Sequence, residues 1–381
     1  MSGLSVVILQ LVVNYGFDEE VAGKLIAFKS LFVLFPCFGS SYVRQLGYKK
    51  SMLCGLLGVT TASMIIALVR DFWAVLFLFA ISGFSHTLIK ISVYSIIGLI
   101  TTTSQKHTSL MNKVEGAYII GALFGPLLFS WMIQWHFWHD TYWTIAMLTV
   151  LVGVLLLMTK LDESAADKEL EQPRFSQIFS LLNYSWVKVL AICICLSVML
   201  ELGFKTWLPT FNTEVFKLSE AQSVLFLSIH AGAIALGRFL SGYLQEHNDW
   251  IFIQLLNLTA SFILTLIVLI LTAFPFESIH NNRDFITLAF IFSTLGLFLG
   301  SSYPTICSKM LSHFPKKHHS AMSGLIVIFA ELGVASGVSI IGFLSKHFSI
   351  HNAFYFMLIP MIILQFLLIL YNKFFEEEIM S

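Results

Sequence analysis

Residues 106–111 read Lys-His-Thr-Ser-Leu-Met, and residues 317–322 repeat the pattern as Lys-His-His-Ser-Ala-Met. The offset is 211 residues (317 − 106), and each copy stands between two long apolar runs. The run after each copy carries a Gly-x-x-x-Gly pair, at residues 121–125 and at residues 333–337. A polar hinge duplicated in register between paired apolar segments is typical of two homologous membrane halves with parallel topology.

The composition places the chain in a lipid bilayer. Hydrophobic residues make up 57% of the chain and charged residues 12%, and the mean hydropathy is +0.82, whereas soluble proteins carry about 25% charged residues. The formal net charge is zero, so nothing in the electrostatics favours a nucleic-acid partner. The five cysteines lie inside apolar runs without a disulfide or metal-ligand framework, and neither a metal nor another cofactor is predicted.

Eleven apolar runs are long enough for a bilayer-crossing helix, which takes about 20 residues. They centre on residues 20–42, 51–69, 72–100, 113–135, 141–159, 185–210, 220–244, 250–274, 285–310, 319–345 and 350–372. A shorter run over residues 2–17 precedes them. The sequence therefore predicts an all-α integral membrane protein made of two six-helix halves, residues 1–160 and 184–381. The polar stretch 161–183 between them is interpreted as a solvated linker.

The basic residues between the runs predict the orientation. One face has twelve and the other has four, and the richer face is expected to be cytoplasmic. The first face has Arg44, Lys49, Lys50, Lys106, Lys113, Lys160, Lys168, Arg174, Lys309, Lys316, Lys317 and Lys373, and the second has Arg70, Lys217, Arg283 and Lys346. The linker and the C-terminus are then cytoplasmic, as is the N-terminus if the first helix is complete.

The repeat also predicts that the first helix is truncated. Ser40 and Tyr42 correspond to Ser241 and Tyr243 at an offset of 201 (241 − 40). The same offset maps the start of the run 185–210 to positions before Met1. A missed upstream start is the favoured explanation, and a shortened or decayed copy is the alternative.

Two hairpins carry a family resemblance. The segment 39–50, Gly-Ser-Ser-Tyr-Val-Arg-Gln-Leu-Gly-Tyr-Lys-Lys, resembles the loop between helices two and three of the major facilitator superfamily. Arg44 and Gln45 stand where that family usually has Asp-Arg, so the charge pairing attributed to the Asp is not expected here. Gly237-Arg238-x-x-x-Gly242 resembles the counterpart in the second half.

A second, weaker resemblance points to the fucose permease branch of that family, which comprises sugar:proton symporters. Leu-Gly-Tyr-Lys at residues 46–49 and Glu201-x5-Trp207-Leu-Pro carry it. Fucose permeases rely on acidic residues in helices one and four, whereas here helix one is incomplete and helix four offers Lys90. The resemblance implies alternating access, with helices one, four, seven and ten lining a central cavity.

Ionisable groups in the runs are candidates for the solute or proton pathway, because each needs a cavity or a partner. Lys90 could contact an anionic or polyhydroxylated solute, or could form a structural ion pair. Glu201 could carry the coupling proton, or could pair with Lys205 one turn later. Trp207 could stack on a sugar, although interfacial Trp belts are the commoner explanation.

Two further candidates come from the repeat. Lys29 and His230 occupy equivalent positions at an offset of 201 (230 − 29), which suggests a polar site between the halves. His230 alone would be interpreted as a packed core histidine. Glu331, in the middle of its run, is expected to be protonated or paired with a base such as His230 or Arg238.

The remaining candidates are a tyrosine for solute binding and a set of residues at the cytoplasmic ends of the helices. Tyr303 is expected to offer a hydroxyl to the solute. Glu115, beside Lys113, is interpreted as an interfacial ion pair. The cytoplasmic gate is predicted from Arg44, Gly47, Lys49, Lys50 and Arg238, with Arg238 tying helix ends together.

The predicted function is proton-coupled uptake of a small polar solute, sugar-like or an organic anion, by a monomer in a bacterial inner membrane. Efflux of amphipathic compounds by proton antiport is the alternative, and a non-transporting sensor fits least. No nucleophile elbow, zinc helix or phosphate loop is present in the sequence, so an enzyme is not expected.

Parallel halves make a topological prediction. In a background without native cysteines, Gln105→Cys and His318→Cys should be labelled by an impermeant reagent from the same side of the membrane. Lys217→Cys, on the opposite predicted face, is the control and should be labelled from the other side. Labelling of the two repeat positions from opposite sides would rule out the parallel duplication.

Overall fold

The computed structural model of the chain describes residues 29, 32–33, 43, 45–69, 71–134, 140–161, 179–273, 282–314 and 318–373. All regular structure in these ranges is helical. The helices are α1 Tyr48–Leu68, α2 Phe72–Ile100, α3 Ser104–Gln134, α4 Thr141–Met158, α5 Ser185–Glu214, α6 Glu220–Leu244, α7 Trp250–Ala273, α8 Asn282–Ser293, α9 Leu295–Leu299, α10 Ser302–Ser312, α11 His319–His347, α12 Ile350–Tyr355 and α13 Leu358–Tyr371, with a 3₁₀ turn at Leu181–Asn183.

The predicted all-α membrane class is confirmed. Each of the ten apolar runs from residue 51 onward forms one helix or a chain of short helices. Within the described ranges, nine helical segments are long and apolar enough to cross a membrane. Residues 2–17, predicted to form a truncated first helix, lie outside the described residues, as do most of the run 20–42 and linker residues 162–178.

The repeated Lys-His-x-Ser-x-Met stretch differs from the expected hinge. Its first copy forms the opening turns of α3, because Thr103 accepts a hydrogen bond from the Lys106 amide through its side chain (3.3 Å) and from the His107 amide through its carbonyl (3.0 Å). His107 and Ser109 are each 2% exposed. His107, Thr108 and Ser109 of the first copy therefore pack against other parts of the chain, whereas Lys106 is exposed.

Local capping signals set two helix starts. Ser219 begins α6 with a capping box, in which its hydroxyl accepts from the Gln222 amide (3.3 Å) and the Gln222 side chain accepts from the Ser219 amide (3.1 Å). Gly47 precedes α1 with φ 90°, a conformation that glycine adopts without a steric cost. This explains why the Leu-Gly-Tyr-Lys turn has glycine at that position.

The chain groups into two compact units. Unit 1 comprises residues 1–101, 121–181 and 314–328, and unit 2 comprises 102–120, 182–313 and 329–381.

In unit 1, α1, α2 and α4 pack together. Ile66, Phe79 and Tyr142 lie at the centre of their interface, where Thr60 and Thr149 share a hydrogen bond of 2.8 Å. The opposite side of α4 exposes Met147 and Met158 at 73% and 76%, as a lipid-facing helix does.

Unit 2 is built around α5, which packs against α6, α10 and α13. Its core is an aromatic cluster in which Phe204, Phe211, Phe292 and Phe354 lie with ring centroids between 4.6 and 5.9 Å apart. All four side chains are fully buried. Aromatic pairs at these distances stabilise one another beyond the area they bury.

The Gly-x-x-x-Gly pair of α11 brings two backbones into contact. A Cβ on Gly333 would lie 2.3 Å from the Cys195 carbonyl oxygen, and one on Gly337 would lie 2.4 Å from the Met199 carbonyl oxygen. Gly121 of the first copy differs, since no atom of the described residues lies within 4 Å of a Cβ placed there. Close approach of helices through small residues is the usual packing mode in membranes.

Gly337→Ala should therefore lower the unfolding temperature of the purified protein in detergent. The expected loss is about 1–3 kcal/mol, because α5 must shift to accommodate the added methyl group. Gly121→Ala is the matched control and should be neutral or slightly stabilising, since alanine favours a helix. Equal effects of the two substitutions would contradict the close α5–α11 contact.

Candidate functional site

Arg238 on α6 lies at the centre of a buried ionic cluster. Its Nη2 donates to both carboxylate oxygens of Glu201 on α5 (2.8 and 2.9 Å), and its Nη1 donates to a carboxylate oxygen of Glu115 on α3 (3.0 Å). The remaining donors reach the carbonyl oxygens of Glu115 (3.1 Å) and Gly300 (2.8 Å). All three nitrogens of the guanidinium therefore donate to oxygen atoms of the protein.

The cluster is shielded from solvent. The side chains of Arg238, Glu115 and Glu201 are 3%, 7% and 6% exposed. Arginine suits such a site better than lysine, because its planar fork binds a carboxylate in a bidentate manner and stays charged. When both carboxyls are ionised the cluster carries a net charge of −1, and a proton on either carboxyl makes it neutral.

Two ion pairs considered from the sequence, Glu201–Lys205 as one of two alternatives and Glu115–Lys113, are not formed among the described residues. Glu201 makes no ion pair with Lys205 in the described part of the chain, because its carboxylate is bound to Arg238. Glu115 is buried against the same arginine, and Lys113 instead pairs with Glu246 at 2.7 Å. The Glu246 side chain accepts from Lys113 and from Ser109, and these bonds hold the pKa of this carboxyl below its usual value.

A network of neutral polar side chains connects α3, the end of α6, α7 and α10. Several of its residues lie a few positions along the chain from members of the ionic cluster. Its hub is the Thr305 hydroxyl, which accepts from the amides of Asn112 (3.1 Å) and Gln254 (3.1 Å) and donates to Gln245 Oε1 (3.1 Å). Ser301 extends it by accepting from Gln254 Nε2 at 3.3 Å. All five residues are buried, with at most 1% exposure.

The motif at residues 106–111 joins this network through α10. His107 Nδ1 and the Ser308 hydroxyl share a hydrogen bond of 2.5 Å, and the Thr108 hydroxyl lies 2.9 Å from the same atom. The first turns of α3 are thus fixed to the end of α10 by side chains of the repeated stretch.

Three candidate residues of unit 2 contribute to packing. Trp207 donates its indole N–H to the Val338 carbonyl at 3.0 Å, and Gly342 leaves room for its ring. His230 is fully buried, donates from Nδ1 to the Ser293 carbonyl (2.9 Å) and stacks on Phe204. Tyr303 is 4% exposed on α10.

The other pathway candidates are spread over both units. Lys29 and Lys90 belong to unit 1, where Lys90 lies 5.5 Å from the ring centre of Tyr94. Glu331 is half-buried on α11 in unit 2. Lys29 and His230, equivalent in the repeat, therefore lie in different units.

The predicted gate residues have distinct surroundings. Lys49 donates to the carbonyl oxygens of Leu157 (2.9 Å) and Thr159 (2.8 Å) at the end of α4, whereas Lys50 is exposed. Gly47 forms the turn before α1, and Arg44 lies outside the described residues. Arg238 bonds to α3 and α5, and its role in a cytoplasmic gate stays a prediction.

Sequence reasoning missed Glu115 as a partner of Arg238 and the network around Thr305. Asn112 and Gln254 gave a signal, because an amide inside an apolar run needs hydrogen-bond partners. Thr305 gave none, since a hydroxyl on a helix can bond to its own backbone.

Comparison with known proteins agrees with this architecture. The family model for the Major Facilitator Superfamily matches residues 1–279 and 257–378. A protein described as a TsgA homolog, from Buchnera aphidicola subsp. Acyrthosiphon pisum (strain Tuc7), is 21% identical over 264 residues, which are 68% of this chain and 63% of the relative. The chain thus spans less than two thirds of the length of that curated relative.

Solved structures share the fold at low identity. A point variant of the E. coli fucose:proton symporter FucP has a TM-score of 0.78 with 15% identity, covering 97% of this chain and 94% of its own. The human organic anion transporter MFSD10 has a TM-score of 0.69 with 16% identity, covering 96% and 89%. A bacterial homologue of the iron transporter ferroportin, in an outward-facing state, has a TM-score of 0.73 with 15% identity, covering 98% and 95%.

The ionic cluster predicts that the loss of Arg238 destabilises the protein more than the loss of Lys205, the other cation near Glu201. Arg238→Met should destabilise the protein by about 3–5 kcal/mol in detergent unfolding, because it leaves two buried carboxyls without a cation. Lys205→Met should have a much smaller effect, since Lys205 lies outside the hydrogen-bonded cluster. A larger loss for Lys205→Met than for Arg238→Met would contradict this assignment.

Proposed function

The chain belongs to the major facilitator superfamily and is a multi-pass membrane transporter, not an enzyme, and we propose that it takes up a small polar solute together with protons. The solute is sugar-like or an organic anion. The protein acts as a monomer in the lipid of a bacterial inner membrane. Its C-terminus lies on the cytoplasmic side, as does its N-terminus if the first helix is complete. Its six-helix halves, residues 1–160 and 184–381, are joined by the linker 161–183 and move against each other, so that the solute site opens to one side of the membrane at a time.

The observation that carries this proposal is the buried Glu115–Arg238–Glu201 cluster. Two carboxyls share one guanidinium, with Lys205 as a second cation one turn from Glu201, and buried charges cost several kcal/mol unless they are paired. A proton that enters the cluster weakens one of the two carboxylate contacts. Protonation therefore changes how firmly α3 and α5 are held to α6, as a transporter that couples proton binding to helix movement requires.

The fold relatives support coupling to protons. One of them is a fucose:proton symporter, and it covers nearly the whole chain. Proton binding at the cluster and solute binding elsewhere need only favour the same arrangement of helices to be coupled. Lys29, Lys90, Trp207, His230, Tyr303 and Glu331 remain our candidates for the solute and proton pathway.

Lys90 is the strongest of these candidates for an anionic or polyhydroxylated solute. It is a half-buried cation on α2, the helix that corresponds to the fourth of the family. Its ammonium lies over the ring of buried Tyr94 on the next turn. An ammonium can hydrogen-bond to a carboxylate or to a sugar hydroxyl.

Transport in proteoliposomes tests the proposal. With a proton gradient directed inward, the wild type should accumulate one member of a panel of sugars and organic anions, and a protonophore should abolish the accumulation. Glu115→Gln or Glu201→Gln should reduce accumulation to the equilibration level while exchange of labelled for unlabelled solute continues. Glu214→Gln, an exposed carboxyl on α5, is the matched control and should behave as wild type.

Two outcomes would contradict the proposal. Accumulation that persists in both cluster variants would remove the cluster from proton coupling. Export of amphipathic compounds against their gradient, without uptake of any polar solute, would replace uptake by efflux.

A further inference from the structure

A lysine lies inside the apolar span of α5. Lys205 is residue 21 (205 − 185 + 1) of the 30 residues from Ser185 to Glu214, which places it about 30 Å along the helix at about 1.5 Å per residue. Its side chain is half-buried. An ionisable side chain within a membrane helix is costly, usually faces the bundle interior or a water-filled cavity, and marks the pathway of a solute or an ion.

The Lys205 ammonium forms no hydrogen bond and no ion pair with the residues that the structure describes. Other lysines differ in this respect, since Lys49 donates to two carbonyl oxygens and Lys113 donates to Glu246. An ammonium has three N–H donors. Lys205 can therefore donate to an acceptor that does not belong to the described part of the chain.

Two carboxylates of unit 2 might be expected to pair with Lys205, and neither does. Glu201, one turn earlier, directs both carboxylate oxygens to the guanidinium of the ionic cluster. Glu331 on α11 lies two residues before Gly333, which meets the carbonyl of Cys195. Cys195 is ten residues before Lys205 (205 − 195), a separation of about 15 Å along the helix.

Lys205 nevertheless interacts with the charges of the ionic cluster. Glu201 attracts it and Arg238 repels it. With both carboxyls ionised, Lys205 brings the sum of these charges from −1 to zero, and a proton on either carboxyl then raises the sum to +1. A monovalent anion at Lys205 returns the sum to zero, which is favourable because an unpaired charge in a low-dielectric interior is costly.

We propose that Lys205 binds the carboxylate of an organic anion that the protein transports, and that this anion binds together with a proton at the ionic cluster. The proposal rests on the proposed function and selects one of its two classes of solute. Charge-assisted hydrogen bonds from an ammonium to a carboxylate are short and strong. A neutral sugar could accept a hydrogen bond from Lys205 but would leave its charge unpaired.

The coupling between the two ligands is reciprocal. A proton at Glu115 or Glu201 strengthens the attraction of this region for an anion, and a bound anion strengthens the binding of the proton to the same extent. Uptake of an anion driven by a proton gradient requires this mutual effect. Since Lys205 lies one turn from Glu201, the effect acts through space and needs no rearrangement of the helices.

Binding is tested by titration calorimetry on the purified full-length protein in detergent. Lactate, malate and benzoate serve as organic anions and D-xylose as a neutral sugar, at matched ionic strength in chloride. At least one of the anions should bind saturably, with a lower dissociation constant in acidic than in alkaline buffer. Saturable binding of D-xylose alone, or of none of these compounds, would overturn the proposal.

Variants assign the anion to Lys205. Lys205→Gln should raise the dissociation constant roughly tenfold or more, because a neutral amide replaces a charged donor, whereas Lys205→Arg keeps the cation and should retain most of the affinity. Lys188→Gln, at an exposed lysine of the same helix, is the matched control and should bind as the wild type does. Unchanged affinity in folded Lys205→Gln would overturn the assignment.

The link to the proton has a readout of its own. Titrations in two buffers with different ionisation enthalpies give the number of protons that are taken up with the anion. The wild type should take up protons on binding, and Glu201→Gln should take up fewer, because one of the two carboxyls is lost. Anion binding without proton uptake in the wild type would overturn the link.

Transport separates this proposal from the proposed function. Anion binding that depends on Lys205, in a protein that accumulates no solute in a proton gradient, would refute the proposed function and support the anion site. Proton-driven accumulation of a neutral sugar that persists in Lys205→Gln would support the proposed function and overturn the anion site.

Discussion

The need to bind a buried guanidinium determines the organisation of unit 2. All three nitrogens of Arg238 donate to oxygen atoms, which come from α3, α5 and the junction of α9 and α10. In a low-dielectric interior each unmade bond would be expensive. Three chain segments far apart in sequence must therefore converge on one side chain of α6, and their packing follows from that requirement.

Away from Arg238, the helices of unit 2 are joined by contacts between uncharged groups. The network around Thr305 uses hydroxyls and amides, and the α5–α11 contact uses glycines at 333 and 337. Each such contact contributes little by itself, so helix ends can exchange one set of partners for another when the buried polar groups find new ones. Unit 2 thus combines one strong ionic centre with interfaces that permit movement between helix ends.

The sequence predicts the helices well because a bilayer crossing leaves long apolar runs, and ten of them are confirmed. It predicts Glu201 and Arg238 as important but assigns Glu201 a wrong partner. Spacing reveals pairs within one helix, such as Glu201 with Lys205, whereas Arg238 lies 37 and 123 positions from its two carboxyls. The repeated motif was expected in a hinge because polar residues suggest solvent. In the first copy His107 and Thr108 are instead buried against α10, a long-range contact that no local pattern encodes.

Lys49 fixes the end of α4, where the linker to the second half of the sequence begins. Its ammonium holds the carbonyl oxygens of Leu157 and Thr159, two of the acceptors that a helix C-terminus leaves without intrahelical donors. The last turn of α4 is thereby bound to the first turn of α1. The linker that follows α4 consequently begins at a position that is fixed relative to α1.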